Sequence, residues 1–386
     1  MDKANEHFDK AIAFASSALT KYIWFAVLLV IIGVLVYYRM QIAKKKGSWE
    51  RMEKAYSGDT FAPQISEINN VDPKFKHKLF DYYIASSYNS CCAGDFQDSY
   101  VSTEPLKEIL LHGARVLDFA IYSVGGTAVV AAGPDNSTTL KGTYNSLPIN
   151  QVLATVKNLA FSSGTAPNAN DPLFLQFRIK SNRQDVYPPL AEAIKSNFGP
   201  RLLDATWGFD SGEGRGDGVE TKNLGNVPLL DLQGKVIIIA HQDNHNFRDK
   251  DNPFFELINL GSSNAYFQQL RNHAVIYTYS MEDTKGFNKT GMTLSMPDWS
   301  EINTNPPAIA QQALGVQMIC MNYQNLDKQM KFYLNFFNEN GSAFVLKPPY
   351  LRYIPKEIPC PPPQNPKLTF APQKYTAIPG AVSFHM

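Results

Sequence analysis

Two histidines and an aspartate stand close together past the middle of the chain, and they are the first candidates for chemistry. His241, Asp243 and His245 fall within one short segment that follows an apolar stretch. An imidazole titrates near neutral pH, so this group could supply an acid, a base or a metal ligand. Histidines in an exposed loop are more often only solvated, and that alternative predicts no chemical role. The sequence contains no Gly-x-Ser-x-Gly elbow, Walker loop or His-Glu-x-x-His motif.

Acidic and thiol groups are the next candidates. Residues 210–217 (Asp-Ser-Gly-Glu-Gly-Arg-Gly-Asp) resemble a calcium loop, but they lack its ligand spacing and its final bidentate Glu, so a surface loop is the better interpretation. The four cysteines have no metal-ligand spacing, and adjacent cysteines rarely bridge each other. We therefore predict free thiols in a reducing compartment at Cys91, Cys92, Cys320 and Cys360.

Short apolar stretches alternate with helix-like stretches over most of the chain. Strands that are apolar without polar alternation are typical of parallel strands buried on both faces. Such a pattern over roughly 275 residues suits a (β/α)8 barrel. The formal net charge of +1 and the absence of a basic stripe give no support for a nucleic-acid partner. Strands are predicted at 128–132, 173–177, 236–240, 274–279 and 316–322, and helices at 103–112, 149–160, 190–198 and 307–314.

Several segments resemble the X and Y catalytic boxes of eukaryotic-type phosphoinositide-specific phospholipase C. Residues 81–90 (Asp-Tyr-Tyr-Ile-Ala-Ser-Ser-Tyr-Asn-Ser) are similar to the opening strand of the X box. Residues 312–324 and 338–352 are similar to two motifs of the Y box, and the second ends in Val-Leu-Lys-Pro-Pro-Tyr-Leu-Arg. With shorter matches between them, the resemblance covers residues 79–355 in the family's order. It implies an α/β fold, a distorted (β/α)8 TIM barrel of phospholipase C type.

The resemblance also implies that the family's catalytic groups are missing. Tyr88 stands where the family has its first catalytic histidine, and Ala132 stands where it has the second. A phenol has a pKa near 10 and stays neutral at physiological pH, where an imidazole can gain or lose a proton. We therefore predict a pseudoenzyme, a member of the family that is not an enzyme.

The calcium site that the resemblance implies is altered as well. Asn89 is kept, and Asp118 stands at the first acidic position. Ala120 and Arg178 replace the other two acidic ligands. Calcium takes about six to eight oxygen ligands, so we predict no bound metal and no cofactor. Because an unpaired buried charge costs several kcal/mol, we expect Arg178 to form a salt bridge with Asp118 at the carboxyl ends of the strands.

Headgroup recognition is also predicted to be weak. The two lysines that contact inositol phosphates in the family correspond to Ile239 and His241. The family's phosphate-binding arginine falls in a stretch that reads Leu-Ser-Met-Pro at residues 294–297.

The N-terminal part of the chain predicts a membrane anchor. The segment from Tyr22 to Tyr38 is uncharged and strongly apolar, with aromatic residues at both ends. Its 17 residues are at the short limit for a spanning helix, and the alternative is a buried core helix. Basic residues follow this segment, so the positive-inside rule places the barrel on the cytoplasmic side of a single-pass anchor. Those expected at the membrane surface are Arg39, Lys44, Lys45 and Lys46.

The domain organisation follows from these patterns. We predict a short N-terminal segment (1–20), a transmembrane helix (21–39), a juxtamembrane stalk (40–78), the X half (79–240), a short linker (241–254), the Y half (255–355) and a Pro-rich tail (356–386). The tail is expected to be extended and to lie along a protein partner. The surface of the barrel is also expected to contact protein partners.

Three functions are compatible with this sequence. The first is an inactive, membrane-anchored barrel that acts as a structural or tethering module. Large DNA viruses encode similar domains, so this module could be a virion protein that links an inner membrane to a capsid. The second is a tether that binds a phosphoinositide without cleaving it. The third is an active phosphodiesterase with rearranged, metal-free chemistry.

Overall fold

The computed structural model describes residues 2–58, 62–134, 141–208, 222–241, 247, 251–261, 264–300, 302–355, 374–375 and 384–385. It divides into two compact units, Met1–Tyr353 and Ile354–Met386. The second unit contains a two-stranded antiparallel pair, in which Lys374 lies opposite His385. The predicted extended contacts of the Pro-rich tail fall mostly outside the described residues and stay a prediction.

The first unit is a nearly closed barrel with eight parallel strands in the order β7-β6-β5-β2-β1-β10-β9-β8. β3, β4 and β11 are antiparallel additions beside β2, β3 and β1. The strands are β1 (Tyr82–Ser87), β2 (Val116–Val124), β3 (Thr127–Ala131), β4 (Leu147–Pro148), β5 (Leu173–Ile179), β6 (Val236–His241), β7 (Leu260–Gly261), β8 (Phe267–Arg271), β9 (Met292–Met296), β10 (Met318–Met321) and β11 (Phe344–Leu346); β12 (Lys374–Tyr375) and β13 (Phe384–His385) form the pair in the second unit.

Helices run back along the outside of this barrel. They are α1 (Asp2–Tyr56), α2 (Pro105–Leu111), α3 (Ile149–Ala160), α4 (Tyr187–Phe198), α5 (Asn272–Ile276), α6 (Met281–Thr290), α7 (Ala308–Gln312) and α8 (Lys328–Asn340). β1, β5, β9 and β10 are buried along their whole length, as their apolar sequences predict. The predicted barrel fold is therefore confirmed.

One predicted strand is wrong. Residues 274–279 lie in α5 and the turn after it, and the neighbouring strand is β8. Residues 274–279 include three β-branched residues and two tyrosines, which favour a strand by local propensity alone. β8 carries two glutamines and Arg271, so its sequence does not indicate a buried strand. This error hid a strand whose end reaches the candidate site.

α1 is one continuous helix that contains the apolar segment and then continues beside the barrel. Its part from Leu19 onward is long and apolar enough to cross a membrane, and the apolar window is not buried against the protein. The predicted stalk, 40–78, holds the last turns of α1 and a segment packed on the barrel. Met52 and Tyr56 are buried, and Ile65 lies so close to Gly113 that a Cβ there would sit 2.5 Å from Ile65 Cδ1.

Candidate functional site

The site is built around the turn that follows β1. Asn89 has a φ of 44°, a left-handed conformation that Asn tolerates better than most residues. In this turn the Asn89 amide donates to Asp118 Oδ2 at 2.9 Å, and the Ser90 amide donates to the Asp118 carbonyl at 2.9 Å. The Ser90 hydroxyl accepts from the Asp118 amide at 3.0 Å. These bonds hold the end of β1 against β2.

Arg178, on β5, fills the space between these two strands. Its Nε donates to Asp118 Oδ1 and its Nη2 to Asp118 Oδ2, both at 2.8 Å, and Nη2 also donates to Asn89 Oδ1 at 2.5 Å. The side chains of Arg178 and Asp118 are 2% and 0% exposed. A bidentate, buried pair of this kind is a strong charge-assisted contact. The predicted salt bridge between Arg178 and Asp118 is therefore confirmed.

These side chains do not fit a calcium ion. Both carboxylate oxygens of Asp118 and the Asn89 carbonyl oxygen accept hydrogen bonds from Arg178. Ala120 pairs with Arg178 across the sheet and offers no ligand atom. The void beside Asn89 and Asp118 is too small for a water molecule. In the described part of the chain, no group of three or more His, Cys, Asp or Glu side chains could hold a metal ion.

A layer of aromatic and cationic side chains covers the Arg178 pair. Arg178 lies over the ring of Tyr88, with its Cζ 4.5 Å from the ring centroid. Arg271, from the end of β8, donates to the Tyr88 hydroxyl at 3.1 Å and lies over the ring of Trp299 at 3.4 Å. Lys180 Nζ lies 4.5 Å from the centroid of the same Trp299 ring. The ring of Tyr88 thus separates two guanidinium groups.

The carboxyl end of the barrel therefore holds a cation cluster, which we define as Arg178, Lys180 and Arg271. Sequence reasoning found only Arg178. Arg271 was missed because its strand was missed, and no motif marks Lys180 or Trp299. The one available signal was the position of Lys180. It follows Arg178 by two residues, and in an extended chain such residues lie on the same face at the end of β5.

Two side chains at this end of the barrel, Arg271 and Gln269, have polar atoms without a hydrogen-bond partner among the described residues. Arg271 donates through Nη1 to the Pro297 carbonyl at 2.7 Å, but its buried Nη2 has no hydrogen-bond partner among the described residues. Gln269 lies two residues earlier on the same face of β8, and both its amide nitrogen and its amide oxygen lack partners there. A buried donor without a partner costs about 1–3 kcal/mol, so an anion that accepts from Arg271 Nη2 would remove this cost.

The other predicted positions lie around the same end of the barrel. Ala132 is fully buried, and its carbonyl accepts from the Gly142 amide at 2.7 Å. His241 pairs with Arg178 across the sheet, and Ile239 pairs with Gln176 two residues earlier along the same strands. Leu294 is buried in β9. Asp243, His245 and residues 210–217 lie outside the described residues, so the proposed roles of those segments are not tested.

The cysteines near the site are unreactive. Cys91, Cys92 and Cys320 are free and buried, as predicted, and Cys360 lies outside the described residues. Burial raises the pKa of Cys92 to about 12, although the nearby Arg178 opposes this shift. A thiol in this state is neither a nucleophile nor a metal ligand at neutral pH.

Comparison with known families gives a consistent result. The X domain of phosphatidylinositol-specific phospholipase C matches residues 75–242, and the Y domain matches residues 236–350. Together the two matches cover more than half of the chain. Among curated proteins, none matches the sequence.

Solved structures support the fold. PLC21 of L. pealei is 19% identical, with a TM-score of 0.57, over 72% of this chain and 38% of that chain. PLC21 of S. officinalis is 20% identical, with a TM-score of 0.56, over 73% of this chain and 38% of that chain. The present chain therefore spans well under half the length of either protein.

These matches correct one prediction. The chain was expected not to be an enzyme because Tyr88 and Ala132 replace two histidines. Both halves of the barrel match domains of a phospholipase, and the similar structures are phospholipase C proteins. The prediction of a pseudoenzyme is therefore wrong, because it took substitutions at single positions for the loss of activity in a chain whose two barrel halves match phospholipase domains.

Proposed function

The chain belongs to the phosphatidylinositol-specific phospholipase C family, and from this premise we propose that its barrel takes up the phosphate ester of a lipid headgroup in a cationic site that works without calcium. The observation that carries the proposal is the buried Nη2 of Arg271, a guanidinium donor at the carboxyl end of the barrel with no hydrogen-bond partner in the part of the chain that the structure describes. This end is where barrels of this fold place their active sites.

The chemistry of the cluster suits a phosphate ester. A guanidinium presents a planar fork of donors that matches two phosphate oxygens. Arg271 has one arm fixed by Tyr88 and Pro297, so its second arm is held in place for an incoming oxygen. The ring of Trp299, 36% exposed, lies beside it and offers an apolar surface to the carbon skeleton of a headgroup.

Arg178 takes over the electrostatic position of the metal. Its charge is permanent at any physiological pH, because an arginine is not deprotonated in proteins. Its donors are engaged by Asp118 and Asn89 and its charge is balanced by the carboxylate, so its contribution is to occupy this position and to support the ring of Tyr88. Binding at the mouth should therefore respond to the loss of Arg271 or Lys180 and not to removal of divalent ions.

The test uses the full chain in detergent micelles with inositol 1,4,5-trisphosphate as the probe, measured by calorimetry in the presence of calcium or of EDTA. We expect equal binding in both, and a loss of at least about ten-fold in Arg271→Gln, since a charge-assisted bond contributes about 1.5–3 kcal/mol. Arg201→Gln, at the other end of the barrel, is the matched control.

Release of inositol phosphate from phosphatidylinositol vesicles is measured in the same two conditions. The proposal requires that any release be equal with calcium and with EDTA. Absence of probe binding, or binding and release that appear only with calcium, would contradict it.

We also propose that α1 anchors the barrel in a membrane, with the barrel on the cytoplasmic side. The apolar part of α1 and the basic residues after it support this topology. A link between the membrane and a protein shell, as in a virion, stays a prediction. Its test is to purify native membranes or particles and to identify the proteins that copurify with the chain.

A further inference from the structure

A cleft of about 530 Å³ opens at the amino end of the barrel, the end opposite the cation cluster. Its walls come from segments that lead into parallel strands, with Lys78 before β1, Lys222 before β6 and Tyr266 before β8. Tyr353 closes one side and follows β11, which runs antiparallel to β1. We define the amino-end cleft by Lys78, Trp207, Lys222, Asn223, Tyr266 and Tyr353.

The backbone beside Lys222 is fixed by its neighbour. Asn223 Nδ2 donates to the carbonyl of Thr290, the last residue of α6, at 2.6 Å, and Asn223 Oδ1 accepts from the Gly225 amide at 2.9 Å. The ammonium group of Lys222 lies 5.2 Å from the ring centroid of Trp207. One wall of the cleft therefore presents a cation against an aromatic ring.

The opposite wall repeats this arrangement. Lys78 pairs with Pro228 in an antiparallel bridge, and its Nζ lies 5.7 Å from the ring centroid of Phe80. Arg352 adds positive charge on this side, since its Nη1 lies 3.4 Å from Nδ1 of His77, the residue before Lys78. The buried Nε of Arg352 has no hydrogen-bond partner among the described residues.

Negative charge is missing from the cleft. In the part of the chain that the structure describes, no Asp or Glu lines the cleft and neither of its two lysines forms a salt bridge. Asp204 lies near enough to Lys222 for their charges to interact, but it accepts from the amide and the hydroxyl of Thr206. Two ammonium groups are thus available to an anion.

Aromatic side chains supply the rest of the surface. Tyr266 and Tyr353 are 36% and 58% exposed, and Trp207 is half-buried beside them. Aromatic rings of this kind stack on the planar bases of nucleotides, and lysine binds phosphate as a compact point charge. The volume of the cleft falls in the range of small-molecule sites.

We propose that the amino-end cleft binds a nucleotide, with its phosphates on Lys78 and Lys222 and its base against the aromatic side chains. This site is separate from the cation cluster, because the two lie at opposite ends of the same strands. The proposal requires neither headgroup binding at the carboxyl end nor anchoring by α1, so it can fail without them and they can fail without it.

The experiment measures binding of ATP to the full chain in detergent micelles by calorimetry, in the presence of EDTA. Inorganic tripolyphosphate, which has the charge but no base, is the second probe. We expect ATP to bind at least about ten-fold more tightly than tripolyphosphate, because stacking of the base adds to the contacts of the phosphates.

Substitutions separate the two parts of the ligand. Lys78→Gln and Lys222→Gln should each weaken both probes by about five-fold or more, whereas Tyr353→Leu should weaken ATP by a similar factor and leave tripolyphosphate unchanged. Lys157→Gln, which removes an exposed lysine of α3 outside the cleft, is the matched control and should alter neither affinity.

Three outcomes overturn the inference. ATP that fails to bind at about 1 mM would show that the cleft is not a nucleotide site. Equal affinities for ATP and tripolyphosphate would remove the role of the aromatic side chains. Binding of ATP that is lost in Arg271→Gln and unchanged in both lysine variants would assign the phosphates to the cation cluster at the other end of the barrel.

Discussion

The two ends of the barrel both bury cations, but they enclose them differently. At the amino end, Arg115 donates to the carbonyls of Ala160, Ala169 and Asp171 at 2.9–3.2 Å. Lys347, also at that end, donates to the Asn288 carbonyl at 2.7 Å. At the carboxyl end the partners of Arg178 and Arg271 are mostly side chains, namely a carboxylate, an amide and two aromatic rings.

The difference separates a structural cation from one that is suited to binding. Main-chain carbonyls are held in place by the fold. A cation that donates to them therefore stabilises the loops that carry them, and its donors are not available to a ligand. Aromatic faces leave the in-plane donors of a guanidinium open to an anion. We therefore expect substitutions of the buried cations at the amino end to cost mainly stability, and those at the carboxyl end to change mainly what the protein binds.

The largest effect should follow loss of Arg115. Arg115→Ala removes the donors of three buried carbonyls and leaves a cavity, which should lower the free energy of unfolding by about 5 kcal/mol. Urea denaturation of the full chain in micelles measures this change. Arg183→Ala, which removes an exposed ion pair with Asp185, should stay within about 0.5 kcal/mol. A loss of less than about 2 kcal/mol in Arg115→Ala would show that the carbonyl cage is not structural.

The pair at the carboxyl end should show strong coupling. Arg178→Met leaves the carboxylate of Asp118 buried without its partner, and this should cost about 3–4 kcal/mol. Adding Asp118→Asn removes that charge, so the double variant should recover most of the loss in the same urea measurement. Additive losses in the double-mutant cycle would mean that the two side chains act independently, against the geometry.

The amino end should also give the protein a pH dependence. Burial lowers the pKa of Lys347 from 10.5 to about 7. Between these values the unfolded chain holds a proton that the folded chain lacks, so stability should rise with pH from 7 to 9 by at most about 2.7 kcal/mol. Burial raises the pKa of Asp171 to about 7. Between pH 4 and pH 7 the folded chain holds a proton that the unfolded chain lacks, so the contribution of Asp171 to the free energy of unfolding falls as the pH rises.

Lys347→Met tests the first of these effects. The Asn288 carbonyl keeps a donor in Gln317 Nε2 at 3.0 Å, so the variant should fold and lose the rise in stability between pH 7 and pH 9. Urea midpoints at the two pH values measure it. An unchanged rise would assign the pH dependence to other groups.

The smallest effect concerns calcium. Ala120→Asp with Arg178→Glu places carboxylates at the two positions where the resemblance implies calcium ligands, beside Asp118 and Asn89. Calcium at ten times its Kd should then stabilise the double variant by about 1.4 kcal/mol, seen as a higher melting temperature. The unaltered chain should show no shift with calcium, and a shift there would refute our account of Arg178. Magnesium is the control ion for both proteins.

Sequence reasoning was most successful where the chain is periodic or where charge must be balanced. The buried strands β5, β6 and β10 were predicted from their mainly apolar sequences, and the Arg178–Asp118 pair follows from the cost of a lone buried charge. β8 was missed because it is polar, with Gln268, Gln269 and Arg271 facing neighbours that no local pattern reveals. The cation cluster joins residues 178, 180 and 271 beside Trp299, and such long-range convergence has no signature in a single sequence.

The contacts between α1 and the barrel also affect the order in which parts of the protein fold. Tyr56 emerges from the ribosome long before Tyr323, its hydrogen-bond partner 267 residues later. Ser66 and Gly341 are separated by 275 residues, so these contacts close very long loops of the chain. Contacts of such high sequence separation form late in folding. The hydrophobic side chains of Met52 and Tyr56 therefore become buried only after the last strand and helix of the barrel have been made.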